Sequence, residues 1–309
     1  MLGGPSAERE VSLRSGTAVA KALRSAGHEV IELDPQDTGW TLPTGTDAVF
    51  LALHGTYGED GMVQRRLDLL GVPYTGCDAE ASRVAFDKVL SKKRFIQAGV
   101  PTPRFAVVDA TATGWPANWG PPAVLKPVRQ GSSVGLRMID RVEDWQAALT
   151  EALRHDTEAL LEERIGGREA TVGILGQTAL PVIEVRPKQG VFDYQNKYTK
   201  GATDVFCPGR FDGATAARIQ TAALEAFKSV GGRDYSRVDV MVGSDGKPMV
   251  LEVNTLPGMT ELSLFPRAAA AAGLTFPAVC EAMIEMALRH PIHLQSNSPP
   301  ATRATDVLP

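Results

Sequence analysis

The 309-residue chain, with 43% apolar and 22% charged residues, has the balance of a soluble globular protein of about two or three domains. A formal charge of −4 leaves no basic footprint for nucleic acid. Cys77, Cys207 and Cys280 are odd in number and scattered, which fits neither a disulfide framework nor a zinc cluster and implies a reducing, cytoplasmic setting. No apolar run is long enough to span a bilayer, and neither a signal peptide nor a membrane partner is expected.

Gly3-Gly4-Pro5-Ser6 reads as a glycine turn feeding a helix, an arrangement that normally follows a buried strand. Only Met1 and Leu2 precede it, so the expectation is a late start and a truncated first strand. Ser12 to Ala26 suits a helix closed by Gly27. His28 to Leu33 suits a strand. Asp47 to Leu53 is a continuous apolar run, typical of a parallel strand covered on both faces. His54-Gly55 ends it at the carboxyl edge, where open parallel sheets bind ligands. A helix over Met62 to Leu70 and a short strand at Tyr74 complete a small α/β, Rossmann-like domain over 1–77.

A second section, 78–162, mixes helices and strands without strict alternation, which suggests α+β. Ala81 to Ala98 reads as a helix closed by Gly99, Arg104 to Val108 and Ala123 to Lys126 as strands, Val142 to Arg154 as an amphipathic helix, and Leu160 to Glu163 as a strand. The third section, 163–292, has strands near Glu169–Leu175 and Leu180–Val185, then a long loop from Pro187 to Pro208. Long loops in compact domains are often active-site lids. A helix over Ala214 to Val230, a hairpin, and helices near Arg267–Ala272 and Pro277–Arg289 follow, and 293–309 is expected to be a disordered tail.

The hairpin carries the sharpest chemical signal. Asp245-Gly246 between apolar runs is a two-residue turn motif, and counting outward places Ser244 opposite Lys247 and Asp239 opposite Glu252. Side chains alternate along a strand, so Arg237, Asp239, Glu252 and Asn254 share one face. Facing carboxylates repel, and two carboxylates with an amide suit a hard cation, magnesium or manganese, over zinc. Alone, the same pattern would also suit an ordinary polar hairpin face.

Other constellations gain weight only together. Lys126 precedes Gly131-Ser132-Ser133-Val134-Gly135, whose glycines and hydroxyls could cradle phosphate beside a lysine charge; a surface hairpin would look the same. Glu162, Glu163 and Glu169 could reach a ribose or form a solvated cluster. His54 heads a motif with Gly55, Gly58, Glu59 and Gly61, catalytic or merely structural. Lys197 and Tyr198 in the long loop could close over phosphates or decorate the surface. Pro257-Gly258 after the hairpin could supply an oxyanion-binding N–H or be a plain turn.

Taken in order, these segments, with Ser6-Ala7-Glu8-Arg9-Glu10-Val11-Ser12, Pro73-Tyr74-Thr75-Gly76, Asp87-Lys88 and Glu252 through Thr260, resemble the D-alanine–D-alanine ligase family of the ATP-grasp superfamily. The resemblance covers nearly the whole chain except the tail. It implies an ATP-grasp fold behind an N-terminal α/β domain, ATP with two magnesium or manganese ions, two D-alanine molecules as substrates, and a homodimer. It also implies roles by position. Glu8 holds the first D-alanine's ammonium and joins Ser132 and Tyr198 in a hydrogen-bonded trio. His54 lies near that substrate. Lys88, Lys126, Ser133 and Lys197 meet phosphates, Glu162 the adenine edge and Glu169 the ribose. Asp239, Glu252 and Asn254 are metal ligands. Arg237 and the Gly258 N–H meet the oxyanion, and Ser263 and Leu264 border the second D-alanine. Arg164 stands where relatives often carry an aromatic residue. Another carboxylate–amine ligase of the superfamily, or an inactive ATP-binding homologue, are the alternatives.

Overall fold

Helix α1 (Arg9–Ser25) forms because Val11, Val19 and Leu23 recur on one face with small Ser12, Ser15, Gly16 and Ala20 between them. Gly16 permits close packing, since a Cβ there would stand 2.2 Å from Leu2 Cβ. The computed structural model describes residues 1–309 except 38, 113, 189–201, 261 and 291–309. Helix α2 (Met62–Leu70) ends at left-handed Gly71, as the sequence indicates.

The strands expected at His28–Leu33 and Asp47–Leu53 do not form as ladders; the one bridge there is parallel, Val49 to Tyr74. Among the described residues, backbone bonds linking these two segments run through Met1 and Leu2. Leu2 N–H donates to Leu33 O (3.0 Å), Ala52 N–H to Met1 O (3.0 Å), and the Met1 ammonium to Phe50 O (2.6 Å). A cavity of about 580 Å³ lies beside them, lined by Val30, Leu33, Val49 and Ile284 among others. The apolar runs were legible, but a ladder needs a partner backbone along its whole length.

The single helix expected over Ala81–Ala98 is two: α3 (Ala79–Phe86) and α4 (Lys88–Gln97). Asp87 is extended between them, and its Oδ1 accepts the N–H groups of Val89 (3.0 Å) and Leu90 (2.9 Å), capping α4. Four antiparallel strands follow, β1 (Phe105–Asp109), β2 (Ala123–Pro127), β3 (Arg137–Ile139) and β4 (Glu158–Glu163), in the order β1-β4-β2-β3. Helix α5 (Trp145–Ala152) covers them over Leu125, Ile139, Trp145 and Leu161.

The second sheet holds β5 (Gly167–Leu175), β6 (Thr178–Ala179), β7 (Ile183–Pro187), β8 (Thr203–Phe206), β9 (Tyr235–Gly243) and β10 (Pro248–Asn254), in the order β10-β9-β5-β7-β8 with β6 beside β5. Strand β8 lies within the stretch expected as loop and pairs with β7. The expected disordered tail and the rest of that loop, with Lys197 and Tyr198, fall outside the described residues. Helix α6 (Gly213–Ser229) packs Ile219, Ala223 and Phe227 on one face of the sheet, joined there by Val84 and Phe95 of α3 and α4. Helices α7 (Leu264–Ala271) and α8 (Phe276–Leu288) share a core with Leu51, Leu53 and Leu67 of the N-terminal section. Among the described residues no single helix is long and apolar enough to cross a membrane.

The β9–β10 register holds Asp239 opposite Glu252, but by two cancelling departures. Val242 pairs with Pro248, so the turn spans Ser244-Asp245-Gly246, with Gly246 left-handed at φ +73°. A bulge at Leu251 then restores the count.

The Asp87 cap is testable. Asp87→Ala should lower unfolding stability by about 1 kcal/mol, read as an earlier urea midpoint. An unmoved midpoint would show that α4 starts without this cap.

Candidate active site

Strands β5, β9 and β10 lie side by side, so Thr171, Asp239 and Glu252 fall in one row across the sheet. Arg237, two residues before Asp239, shares its face and donates to it twice: Nε to Oδ1 (2.9 Å) and Nη2 to Oδ2 (2.8 Å). The Thr171 hydroxyl donates to Oδ1 (2.6 Å), and Asn254 Nδ2 to Oδ2 (3.0 Å). The Lys88 ammonium lies 3.6 Å from Glu252 Oε2. Arg237 and Lys88 thus offset the repulsion between the facing carboxylates. Asp239, Glu252 and Asn254 offer oxygen donors only, which fits magnesium or manganese with phosphate and water completing the coordination.

Lysines line the adjoining wall. Lys88 is buried and donates to Gln130 O (2.6 Å). Lys126, near the end of strand β2 toward the glycine loop, pairs with Glu162 Oε2 at 2.6 Å, and Lys92 sits against Oε1 of the same carboxylate. Burial pulls both Lys88 and Lys92 below the usual lysine range, against the attraction of Glu252 and Glu162 respectively. For Lys126 burial pulls the same way, but the Glu162 and Glu252 charges win and hold it charged. Burial would raise Glu162, yet Lys126 and Lys92 keep it ionised. Lys92 also donates to Thr102 Oγ1 (2.6 Å), whose hydroxyl donates to Val250 O (2.7 Å) and so ties this cluster to β10. Sequence reading assigned Lys92 no part. Its signal is the spacing: it stands four residues after Lys88 on α4, on the same helix face.

The loop after Lys126 is a tight turn, closed by the Val134 N–H donating to Gly131 O (3.1 Å). Ser132 (φ +51°) and Ser133 (φ +58°) are both left-handed, at a cost of about 1–2 kcal/mol each. Two left-handed residues between Gly131 and Val134 are the backbone signature of a type I′ turn. A Cβ on Gly131 would meet Glu8 Oε1 at 2.6 Å, and one on Gly55 would meet it at 3.4 Å. Glu8 at the start of α1 therefore lies between the His54-Gly55 turn and this loop. Glu169 is half-buried on β5, paired with Met241 and Val185. Arg164 pairs with Asp140 at 2.6 Å.

Glu59, given no role from the sequence, accepts the Gly55 N–H at 2.7 Å. The protein packed around it, and then the Glu8 charge, hold its carboxyl well above the usual range. Beyond β10, a Cβ on Gly258 would stand 2.8 Å from Ser263 Oγ, which accepts the Thr260 N–H (3.0 Å). Leu264 begins α7, buried.

His54, expected near the first substrate, is held by protein at both ring nitrogens. The ring is 5% exposed, with Nδ1 3.0 Å from Leu256 O and Nε2 3.1 Å from Ser15 Oγ, so both nitrogens face protein. Burial first, then the Arg237 charge, lower its pKa to about 4, with the Leu256 bond opposing. An unfolded chain takes up this proton near 6.5. Between those values the unfolded state binds more protons, so the His54 contribution to stability is lost as pH falls from about 6.5 to about 4. His54→Asn should flatten the pH dependence of unfolding stability in that window; an unchanged slope would contradict the assignment.

Known proteins are similar to this chain in sequence and in fold. A family model described as D-ala D-ala ligase C-terminus matches residues 96–285, and one described as D-ala D-ala ligase N-terminus matches residues 36–77. The D-alanine--D-alanine ligase of Methylacidiphilum infernorum is 45% identical over 284 residues, covering 92% of this chain and 93% of that one. The D-alanine--D-alanine ligase of Bacillus anthracis superposes with a TM-score of 0.82 at 34% identity, covering 93% of this chain and 96% of that one. Its complex with ATP superposes with a TM-score of 0.80 at 30% identity, with the same coverage. VanG D-Ala:D-Ser ligase from Enterococcus faecalis gives 0.81 at 30% identity, over 92% of this chain and 97% of that one. Two matching family models and identity sustained along nine-tenths of the sequence establish that this chain belongs to the D-alanine–D-alanine ligase family.

Proposed function

We propose that the chain joins two D-alanines to D-alanyl-D-alanine, with ATP giving ADP and phosphate, as a step toward peptidoglycan precursors in the cytoplasm. The observation that carries this reading is the convergence of Arg237, Asp239, Glu252 and Asn254 with Lys88, beside the Lys126 wall and the Gly131–Gly135 turn that Glu8 approaches. A carboxylate lacks a good leaving group until it is phosphorylated. The first D-alanine's carboxylate oxygen attacks the γ-phosphorus, the bond to ADP breaks, and an acyl phosphate forms. The second D-alanine's amine attacks the acyl carbon and loses a proton, and phosphate leaves the tetrahedral intermediate.

Glu8 receives the first ammonium and, with Ser132 and Tyr198, joins the sections around it. Lys88, Lys126, Ser133 and Lys197 bind the triphosphate as charges and donors. Glu162 and Glu169 border the nucleoside, Glu162 with its carboxylate already committed to Lys92 and Lys126. Asp239, Glu252 and Asn254 would hold two magnesium or manganese ions. Bound there, these ions would neutralise the charge that develops on the transferred phosphoryl group, which is most of what phosphoryl transfer requires. The Arg237 guanidinium, oriented by Asp239, and the Gly258 N–H stabilise the oxyanion, and Ser263 and Leu264 border the second D-alanine. The working assembly in this reading is a homodimer.

Phosphate release with magnesium and ATP should require D-alanine, yield the dipeptide, and fall away with L-alanine; D-serine and D-lactate as second substrates define the range. Release that ignores D-alanine, or needs a different acid, would overturn the assignment. Glu252→Gln should cut turnover on the order of 100-fold while ATP affinity changes far less. Equal losses in both would remove Glu252 from the transfer step.

A further inference from the structure

We propose that Ser15 is a positioning residue: through a clamp shared with His54, helix α1 fixes the turn that presents the Gly258 N–H. The effect on turnover rests on the function proposed above; the clamp itself does not.

Ser15 lies on the buried face of α1 and is fully enclosed. Its Oγ stands 3.1 Å from the Met259 N–H and 3.1 Å from His54 Nε2. An amide N–H only donates, so Ser15 Oγ accepts from Met259. Its own hydroxyl proton is then available to His54 Nε2. On the opposite edge of the ring, Nδ1 faces the Leu256 carbonyl at 3.0 Å. A carbonyl only accepts, so Nδ1 must carry the hydrogen. A neutral ring with Nδ1–H leaves Nε2 as an acceptor. The Leu256 carbonyl sets this tautomer and the Ser15 hydroxyl matches it as donor, and burial of the ring favours its neutral form.

The histidine is itself immobilised. Its N–H donates to Ser12 Oγ (3.0 Å), and its carbonyl accepts from the Ser6 hydroxyl (2.6 Å). Every polar atom of His54 thus has a partner, and three of those partners come from the first fifteen residues. The clamp grips the later turn at both ends, at Leu256 O and at Met259 N, with Pro257 and Gly258 between. Leu256 and Met259 are both buried, so water cannot replace a lost partner readily. The N-terminal section, which carries Glu8, thereby also sets the direction of an amide in the C-terminal section. A displacement of about 1 Å at a reacting centre can cost on the order of 100-fold in rate.

Three readouts test this. In the wild-type protein at neutral pH, nitrogen-15 NMR of His54 should show Nδ1 protonated and Nε2 bare. The Met259 amide should exchange with solvent slowly, and at least about tenfold faster in Ser15→Ala, whose exchange elsewhere in α1 should change little. Ser15→Ala should lose about 10- to 100-fold in kcat with KM for ATP unchanged within about twofold. His54→Asn, whose side-chain amide can stand in for Nδ1–H but not reach Ser15, should fall between the two. A protonated Nε2 in the wild type would overturn the clamp. So would a folded Ser15→Ala with unchanged kcat, or a kcat loss matched by a rise in KM for ATP. The tautomer is read on the wild type, so it judges the clamp even where Ser15→Ala fails to fold. Neither it nor the exchange rate needs turnover, so they stand apart from the identity of the substrate.

Discussion

Asp239 and Glu252 stand opposite each other on β9 and β10, and much of the site is arranged around offsetting their repulsion. Arg237 grips Asp239 with two bonds, Thr171 and Asn254 add one each, and Lys88 approaches Glu252. The sheet supplies all but one of these groups, and a sheet fixes its side chains more tightly than a loop does. Lys88 comes instead from α4, whose start is set by the Asp87 cap. An acidic pair offset by cations on its own protein walls is a poised receptor. A nucleotide bringing phosphate and divalent metal can satisfy the lysines and the carboxylates together.

The second constraint is that the two ends of the chain share one core. Leu51, Leu53 and Leu67 pack with Phe265, Ala268 and Met283. Helices α7 and α8 thereby hold the N-terminal section against the face of the sheet opposite α6. Polar bonds follow the same route. Tyr235 donates to Thr75 Oγ1 (3.1 Å), whose side chain accepts the Leu51 N–H (3.1 Å), and His54 reaches Leu256. Glu8, which lies against the Gly131 loop, and Gly258, which lies past the end of β10, are thus placed by one packed unit. In a reaction that must bring an acyl phosphate and an amine into line, such fixed placement supplies much of the rate.

The helices α2, α6 and α8, the strands β1, β2, β4, β5, β9 and β10, and the face shared by Arg237, Asp239, Glu252 and Asn254 were legible because periodicity and turn residues are local signals. The Asp239–Glu252 pairing was legible for an incomplete reason. Counting from Asp245-Gly246 assumed a two-residue turn, whereas the three-residue turn shifts the register one way and the Leu251 bulge shifts it back. Neither shift is visible in an alternating pattern. The break at Asp87 was present in the sequence as a capping residue inside a helical run, and the run hid it. The engagement of His54 was not legible, since its ring partners lie 39 and 202 residues away. The double pairing of Glu162 was hidden for the same reason: it depends on how α4 settles against β4.

The most direct test of the central claim is a count of manganese ions bound at equilibrium, followed by electron paramagnetic resonance, with a non-hydrolysable ATP analogue present and absent. Manganese should bind tightly only with the nucleotide present, with at least one ion lost in Glu252→Gln. An equal count in both proteins, or tight binding indifferent to the nucleotide, would contradict the view that this acidic face exists to receive a metal-bound triphosphate.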